Sequence, residues 1–212
     1  MMDALGRYQI PGAAVAVVSG EEVVLLKGYG FADVERRIPV DPERTVFRAF
    51  SVSKPVTATA VMQLFDRGLL KPDDDVTRHL EGLPLRRAFP QPITAGQLLT
   101  HTSGFTDRGA GTVALHPENV KTLEQYLADR PYRQVDPPGQ RVAYSDYNFA
   151  LAGYLVERVS GLPFPRFAEE TVFRPLGMSR TTFLQPRPGV RVPEHAVGYA
   201  HAGGRYEPQP PA

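Results

Sequence analysis

Phe47-Arg48-Ala49-Phe50-Ser51-Val52-Ser53-Lys54-Pro55-Val56-Thr57-Ala58-Thr59-Ala60-Val61-Met62-Gln63-Leu64-Phe65-Asp66-Arg67-Gly68 decides how the rest of the chain is read. It predicts a short apolar strand, a serine at a turn, and then a long helix. Val52, Val56, Ala60 and Leu64 recur every four residues, with Val61 and Phe65 beside them. That spacing lays a wide apolar stripe along one helix face. Pro55 suits the first turn, where its missing N–H is no loss. Gly68 follows the last periodic residue and suits a left-handed C-terminal cap. Ser51 is therefore expected where a helix begins, and backbone N–H groups and the dipole favour negative charge there. Lys54 lies three residues on, so both side chains can share a face.

This placement suits an acyl-transfer nucleophile. A serine hydroxyl is weak until a neighbour takes its proton. A lysine can be that neighbour if burial lowers its pKa, and Phe50, Val52 and Val56 supply apolar surroundings in sequence. The plain alternative is a serine N-cap with a solvated lysine. The bare Ser-x-x-Lys spacing is a weak signal. Context strengthens it, because a lysine in the first helical turn opposes the dipole and needs a reason to be there.

At this point the sequence resembles a known family. Phe50-Ser51-Val52-Ser53-Lys54 before an apolar helix looks like the first motif of the serine β-lactamase and penicillin-binding-protein superfamily. The branch most similar is the class C β-lactamase, esterase and D-aminopeptidase group. Ile10-Pro11-Gly12-Ala13-Ala14-Val15-Ala16-Val17-Val18 resembles its first strand. Ile93-Thr94-Ala95-Gly96-Gln97-Leu98-Leu99-Thr100-His101-Thr102-Ser103-Gly104-Phe105 is a specific match. Pro138-Gly139-Gln140-Arg141-Val142-Ala143-Tyr144-Ser145-Asp146 is similar to the second motif, and Pro175-Leu176-Gly177-Met178 also recurs there. The resemblance runs from about Ile10 to about Tyr199. It implies an α/β (α+β) fold class: an antiparallel sheet flanked by helices, with a helical region inserted after the nucleophile helix. It also implies that Tyr144 is the tyrosine of a Tyr-x-Asn motif, sharing the base role and returning a proton to the leaving group. Here the third position is Asp146, which adds a negative charge near Lys54 and favours its cationic form. Asp146 is thus a supporting or substrate-binding candidate beside the catalytic candidates Ser51, Lys54 and Tyr144.

Composition sets the frame. The 212 residues suffice for one large domain or two small ones. With 42% hydrophobic and 22% charged residues, the chain reads as an ordinary globular protein. A net charge of +1 gives no electrostatic case for nucleic acid or membrane partners. No apolar run approaches the ~18 residues of a spanning helix. No secretory leader is visible at Met1-Met2-Asp3-Ala4-Leu5, so a cytoplasmic location is the default expectation. The absence of cysteine excludes disulfides, thiol nucleophiles and zinc–thiolate sites.

Along the chain, residues 3–9 read as the tail of a helix. Ala13–Val18 reads as a buried strand, and Val23–Gly30 as its hairpin partner across Ser19-Gly20-Glu21-Glu22. Pro39–Arg44 reads as a loop. Asp73-Asp74-Asp75 lacks the spacing and the terminal Glu of a calcium loop, so it reads as a solvated turn with a helix-capping Asp. Thr94 is expected to cap a short helix. His101-Thr102-Ser103-Gly104 invites a reading with Ser103 as nucleophile and His101 as base. Adjacency does not provide that geometry, and no Gly-x-Ser-x-Gly elbow is present; the resemblance implies a structural loop at the edge of the site. Residues 105–121 read as a loop lining the cleft, and Thr122–Asp129 as a short helix. Asp146 is expected to cap a helix to Ser160, closed by Gly161. Residues 163–174 suggest a further helix. Beyond Met178, prolines and glycines dominate.

One domain over 1–212 follows from this reading, divided into a sheet hairpin and nucleophile helix (10–70), a mostly helical region (71–185) and a loop-like tail (186–212). The superfamily's third motif is Lys-Thr-Gly or His-x-Gly. No lysine follows Lys121, and His201-Ala202-Gly203 fits the second form only literally, in a stretch that reads as loop. The motif order therefore suggests an N-terminal portion of a longer enzyme. The reading that follows is a serine hydrolase acting on an ester, a β-lactam or a small peptide amide through a Ser51 acyl-enzyme, with no metal or organic cofactor. A catalytically inactive binding or regulatory module on the same scaffold is the alternative.

Overall fold

A computed structural model describes residues 1–107, 114, 116–129, 131–185 and 194–209. The chain divides into two compact units, one of Met1–Arg48, Ala114–Val120 and Leu184–Ala212, the other of Ala49–Val113 and Lys121–Phe183. Both helices and antiparallel sheets are present, as the expected α+β class requires.

The first unit opens with helix α1 (Met2–Tyr8). Strands β1 (Gly12–Ser19), β2 (Glu22–Asp33) and β3 (Ile38–Pro39) then form an antiparallel sheet in the order β1-β2-β3. The β1–β2 hairpin runs from Gly12 opposite Gly30 to Ser19 opposite Glu22, with a bulge between Val17 and Val18. The expected hairpin is there, but Ala13–Val18 is not a buried strand. Val17, Val18, Val23, Val24, Leu25 and Leu26 are all exposed. Apolar residues fill consecutive positions, so they project alternately from the two faces of the sheet, and they are exposed on both. β3 lies just where a loop was expected to begin.

The tail is not all loop. β4 (Tyr199–Ala202) and β5 (Arg205–Pro208) form a second antiparallel hairpin, with His201 opposite Tyr206. Gly203 and Gly204, with φ of 56° and 77°, make the turn, because two successive positive φ values match the strand twist and favour glycine. Gly-Gly between Tyr199-Ala200-His201 and Tyr206 is thus a hairpin signal that the glycine-rich composition disguised. Pro186, Pro188, Gly189 and Pro193 lie outside the described residues, as do residues 108–113 and 115 of the expected cleft loop.

The second unit is helical. Its main elements are α2 (Lys54–Asp66), α3 (Ala95–Leu99), α4 (Leu123–Asp129), α5 (Asp146–Ser160) and α6 (Phe164–Ala168), the last continuing as a π-type turn over Glu169–Phe173. Ala60, Val61 and Leu64 of α2 and Leu151, Leu155 and Val156 of α5 belong to one buried cluster with Leu98 and Phe105. Each fully buried Leu, Val or Phe contributes about 1.5–3 kcal/mol of transfer free energy. This shared core fixes α2 against α5, and with them the residues at their N-terminal ends.

The central stretch is corrected in two respects. No strand leads directly into Ser51; residues 40–49 hold only an isolated bridge between Val46 and His195. Val52 does not join the stripe of α2 either. It sits in a 3-10 turn, Phe50–Ser53, where the 3.6-residue period has not begun, and it is 75% exposed. The buried face of α2 is Thr57, Ala60, Val61 and Leu64. Pro55 stands in the first turn, and Gly68 closes the helix with φ 68° while Leu69 N–H donates to Leu64 O.

Candidate active site

Ser51 lies in the 3-10 turn that leads directly into α2. The residue before it, Phe50, has φ 45°. A bulky residue in the left-handed region costs on the order of 1–3 kcal/mol, and such strain concentrates at functional sites. Lys54 follows one turn later, its side chain only 14% exposed. Its Nζ donates to Ser51 Oγ at 3.1 Å.

The third group comes from far along the chain. Tyr144 Oη donates to Ser51 Oγ at 2.7 Å across 93 residues of sequence. Lys54 Nζ also lies 4.6 Å from the centroid of the Tyr144 ring and 5.7 Å from that of Phe149. One hydroxyl, one amine and one phenol therefore meet within hydrogen-bond reach, the three groups that the sequence singled out. Tyr144 stands just ahead of α5, so the α2–α5 packing brings the groups together.

Asp146 completes the cluster. Lys54 Nζ donates a hydrogen bond to Asp146 Oδ1. The expected capping role falls to its neighbour instead: the Ser145 hydroxyl accepts from Asn148 N–H at 3.3 Å. Asp146 is the first helical residue, a position whose side chain points off the helix end, and its carboxylate is free to meet Lys54. Burial disfavours the charge on Lys54. Hydrogen bonds and charge interactions with Asp146 and Tyr144 outweigh it and hold the amine above its ordinary pKa. The apolar surroundings expected to lower it are not assembled, since Phe50 is 76% exposed and Val52 nearly as much.

Two further residues hold the cluster in place. Asp107 Oδ2 accepts the Asp146 N–H at 2.7 Å, placing a carboxylate on an otherwise unpaired donor at the start of α5. His101, with φ 57°, accepts the Ser145 N–H on Nδ1 at 3.1 Å. No sequence signal marked Asp107, while His101 was weighed only as a base for Ser103 and as part of a loop at the edge of the site.

Ser103 is elsewhere in purpose. It is fully buried, and its Oγ donates to Asn148 Oδ1 at 2.6 Å. The loop around it depends on Gly104, which has φ 82° and whose Cβ, if present, would lie 1.9 Å from Asp136 O. Thr94 caps α3 in a reciprocal box with Gln97, as the sequence predicts. Asp75 accepts from Thr77 N–H and Asp74 from Lys71 N–H, so the acidic run is built into turns. Among the described residues no group of three or more His, Asp or Glu side chains is placed to hold a metal ion.

Comparison with known proteins places this geometry in context. The family described as Beta-lactamase matches residues 1–211. A putative penicillin-binding protein, PbpX, of Bacillus subtilis (strain 168) is 33% identical over 195 residues, which are 92% of this chain and 46% of that relative. The octameric penicillin-binding protein homologue from Pyrococcus abyssi superposes with a TM-score of 0.85 at 30% identity, covering 99% of this chain and 48% of that one. EstCE1, a hydrolase with promiscuous acyltransferase activity, gives 0.83 at 28% identity, covering 98% and 56%. The D-amino acid amidase from Ochrobactrum anthropi SV3 gives 0.76 at 27% identity, covering 94% and 55%. The chain thus spans about half the length of these relatives, and its fold is the β-lactamase/transpeptidase-like fold they share.

Proposed function

The chain belongs to the Beta-lactamase family, and from that premise we propose that it is a serine hydrolase working by acyl transfer through Ser51. One observation carries the reading: Tyr144 Oη at 2.7 Å and Lys54 Nζ at 3.1 Å both reach Ser51 Oγ. In the proposed reaction Ser51 Oγ attacks the substrate carbonyl and its proton passes into the Lys54–Tyr144 pair. The Ser51 N–H stabilises the developing oxyanion, a type of donor whose loss typically costs about 2.7–4 kcal/mol. Tyr144 then protonates the leaving group, and water hydrolyses the acyl-enzyme.

The resting proton inventory constrains the order of these steps. Lys54 is cationic beside Asp146, so a proton must leave that pair before the amine accepts one. The reaction is therefore expected to speed up as pH rises above neutrality. Esters, β-lactams and small D-amino-acid amides are the proposed substrate classes. They follow from the relatives' descriptions as a penicillin-binding protein, a hydrolase with acyltransferase activity and a D-amino acid amidase.

The second reading is an inactive module retaining the scaffold. The Asp146 contact that holds Lys54 charged favours it. Hydrolysis of an aryl ester, a chromogenic cephalosporin and a D-alanine anilide by the purified protein and by Ser51→Ala separates the two. Turnover of any one of them that Ser51→Ala abolishes supports the enzyme. A folded protein with Ser51→Ala-like rates on all three supports the module.

A further inference from the structure

We propose that His101 is a positioning residue that clamps Tyr144 from both sides, and that its imidazole must be neutral to do so. The inference rests on the Ser51 reading and extends it. Three contacts carry the argument. The His101 carbonyl accepts the Ala143 N–H at 2.8 Å. Its Nδ1 accepts the Ser145 N–H at 3.1 Å. Its ring lies on the Tyr144 ring, centroids 4.6 Å apart at 30°. The residues on either side of the phenol are thus both bonded to one histidine, which also packs on the ring itself. Phe149 backs the imidazole, with centroids 5.1 Å apart.

The bond to Ser145 requires a lone pair on Nδ1, so the proton resides on Nε2. A protonated ring would turn Nδ1 into a donor facing another donor. The charged groups around the imidazole are Lys54 on α2, Asp146 on α5 and Asp107 on the preceding loop. Burial, and then the charge on Lys54, push the His101 pKa down against the opposing pull of Asp146 and Asp107. The ring is consequently neutral at pH 7. The backbone at φ 57° is strained for histidine, which marks the position as held for its side chain.

The test separates side chain from backbone. His101→Gly removes the ring while relaxing the left-handed backbone; His101→Asn tolerates that backbone and restores an acceptor. Fluorophosphonate acylation of Ser51 is followed at pH 8, with circular dichroism confirming folding. His101→Gly is expected to slow acylation about 10- to 100-fold, the scale of an ångström-level misplacement. His101→Asn is expected to recover most of the rate. Wild-type acylation by His101→Gly, or a His101→Asn as slow as His101→Gly, overturns the proposal. Nitrogen-15 NMR of the unreacted protein gives a reading independent of chemistry. An unprotonated His101 Nδ1, with Tyr144 ring shifts that change in His101→Gly, supports the clamp. A protonated Nδ1 at pH 7.5, or unchanged Tyr144 shifts, overturns it. If wild-type Ser51 stays unlabelled, the hydrolase reading falls and the NMR result alone decides the clamp.

Discussion

Replacing Asp146 with asparagine should make Ser51 more reactive, not less. Asp146 is the anion that Lys54 meets, and with Tyr144 it holds the amine above its ordinary range. Asparagine keeps an oxygen for the Lys54 Nζ bond and removes the charge. What remains on the lysine is burial, which favours the neutral, basic form, set against the hold of Tyr144 alone. The carboxylate is 51% exposed, so the pair is screened and its full Coulomb energy does not apply. Taking the upper end of measured exposed pairs, about 1 kcal/mol, the neutral fraction of Lys54 rises about fivefold at a given pH. The assay is the second-order rate constant for fluorophosphonate acylation of Ser51, measured from pH 6 to 10. Asp146→Asn should be about fivefold faster near pH 7, with its alkaline rise displaced to lower pH. A slower variant with an unchanged profile would show that Lys54 is not the proton acceptor, or that the carboxylate does more than hold a charge.

Tyr144→Phe removes the hydroxyl that reaches Ser51 and leaves the ring on His101. Acylation should fall about 10²- to 10⁴-fold, with the thermal midpoint nearly unchanged in calorimetry. Gly104→Ala forces a methyl into Asp136 O at a positive φ. A loss of about 2–3 kcal/mol is expected, which lowers the melting temperature by roughly 4–12 °C. His101 and His195 are both held below the ordinary histidine range by burial, His195 also by the charge on Arg48. The unfolded chain then binds more protons than the folded one, so their contribution to stability is present above about pH 6.5 and lost as pH falls below it. Melting temperatures between pH 7.5 and 5.5 should show that slope, and His195→Asn should flatten it.

The helix that follows Ser51 was legible because its signals are local. Pro55 in the first turn, the Ala60–Val61–Leu64 face and Gly68 after the end each act within one or two turns. Ser51 and Lys54 are three residues apart, so their meeting needs only the helix start. Tyr144 and Asp146 lie 93 and 92 residues from their partners, and no spacing argument places them. They were found through resemblance, and the α2–α5 core is the physical reason they arrive. The reading failed where local pattern and tertiary context diverge. The apolar run Ala13–Val18 resembles a buried strand, yet burial depends on what lies against a sheet, which its own sequence does not encode. The apolar neighbours of Lys54 fail for a related reason: Phe50 and Val52 are adjacent in sequence, but the 3-10 turn points them to solvent. Ser145 displaced Asp146 as helix cap because both are good caps one residue apart, and the carboxylate had a competing cation.

The account rests on Ser51 carrying the acyl group. Intact-mass and peptide-level mass spectrometry of the protein, acid-quenched within seconds of adding p-nitrophenyl acetate, reads this directly. One acetyl group on the peptide holding Ser51, absent in Ser51→Ala, is the predicted result. An acetyl group on Ser103, or a folded protein that gains no mass from this ester or from benzylpenicillin, contradicts it.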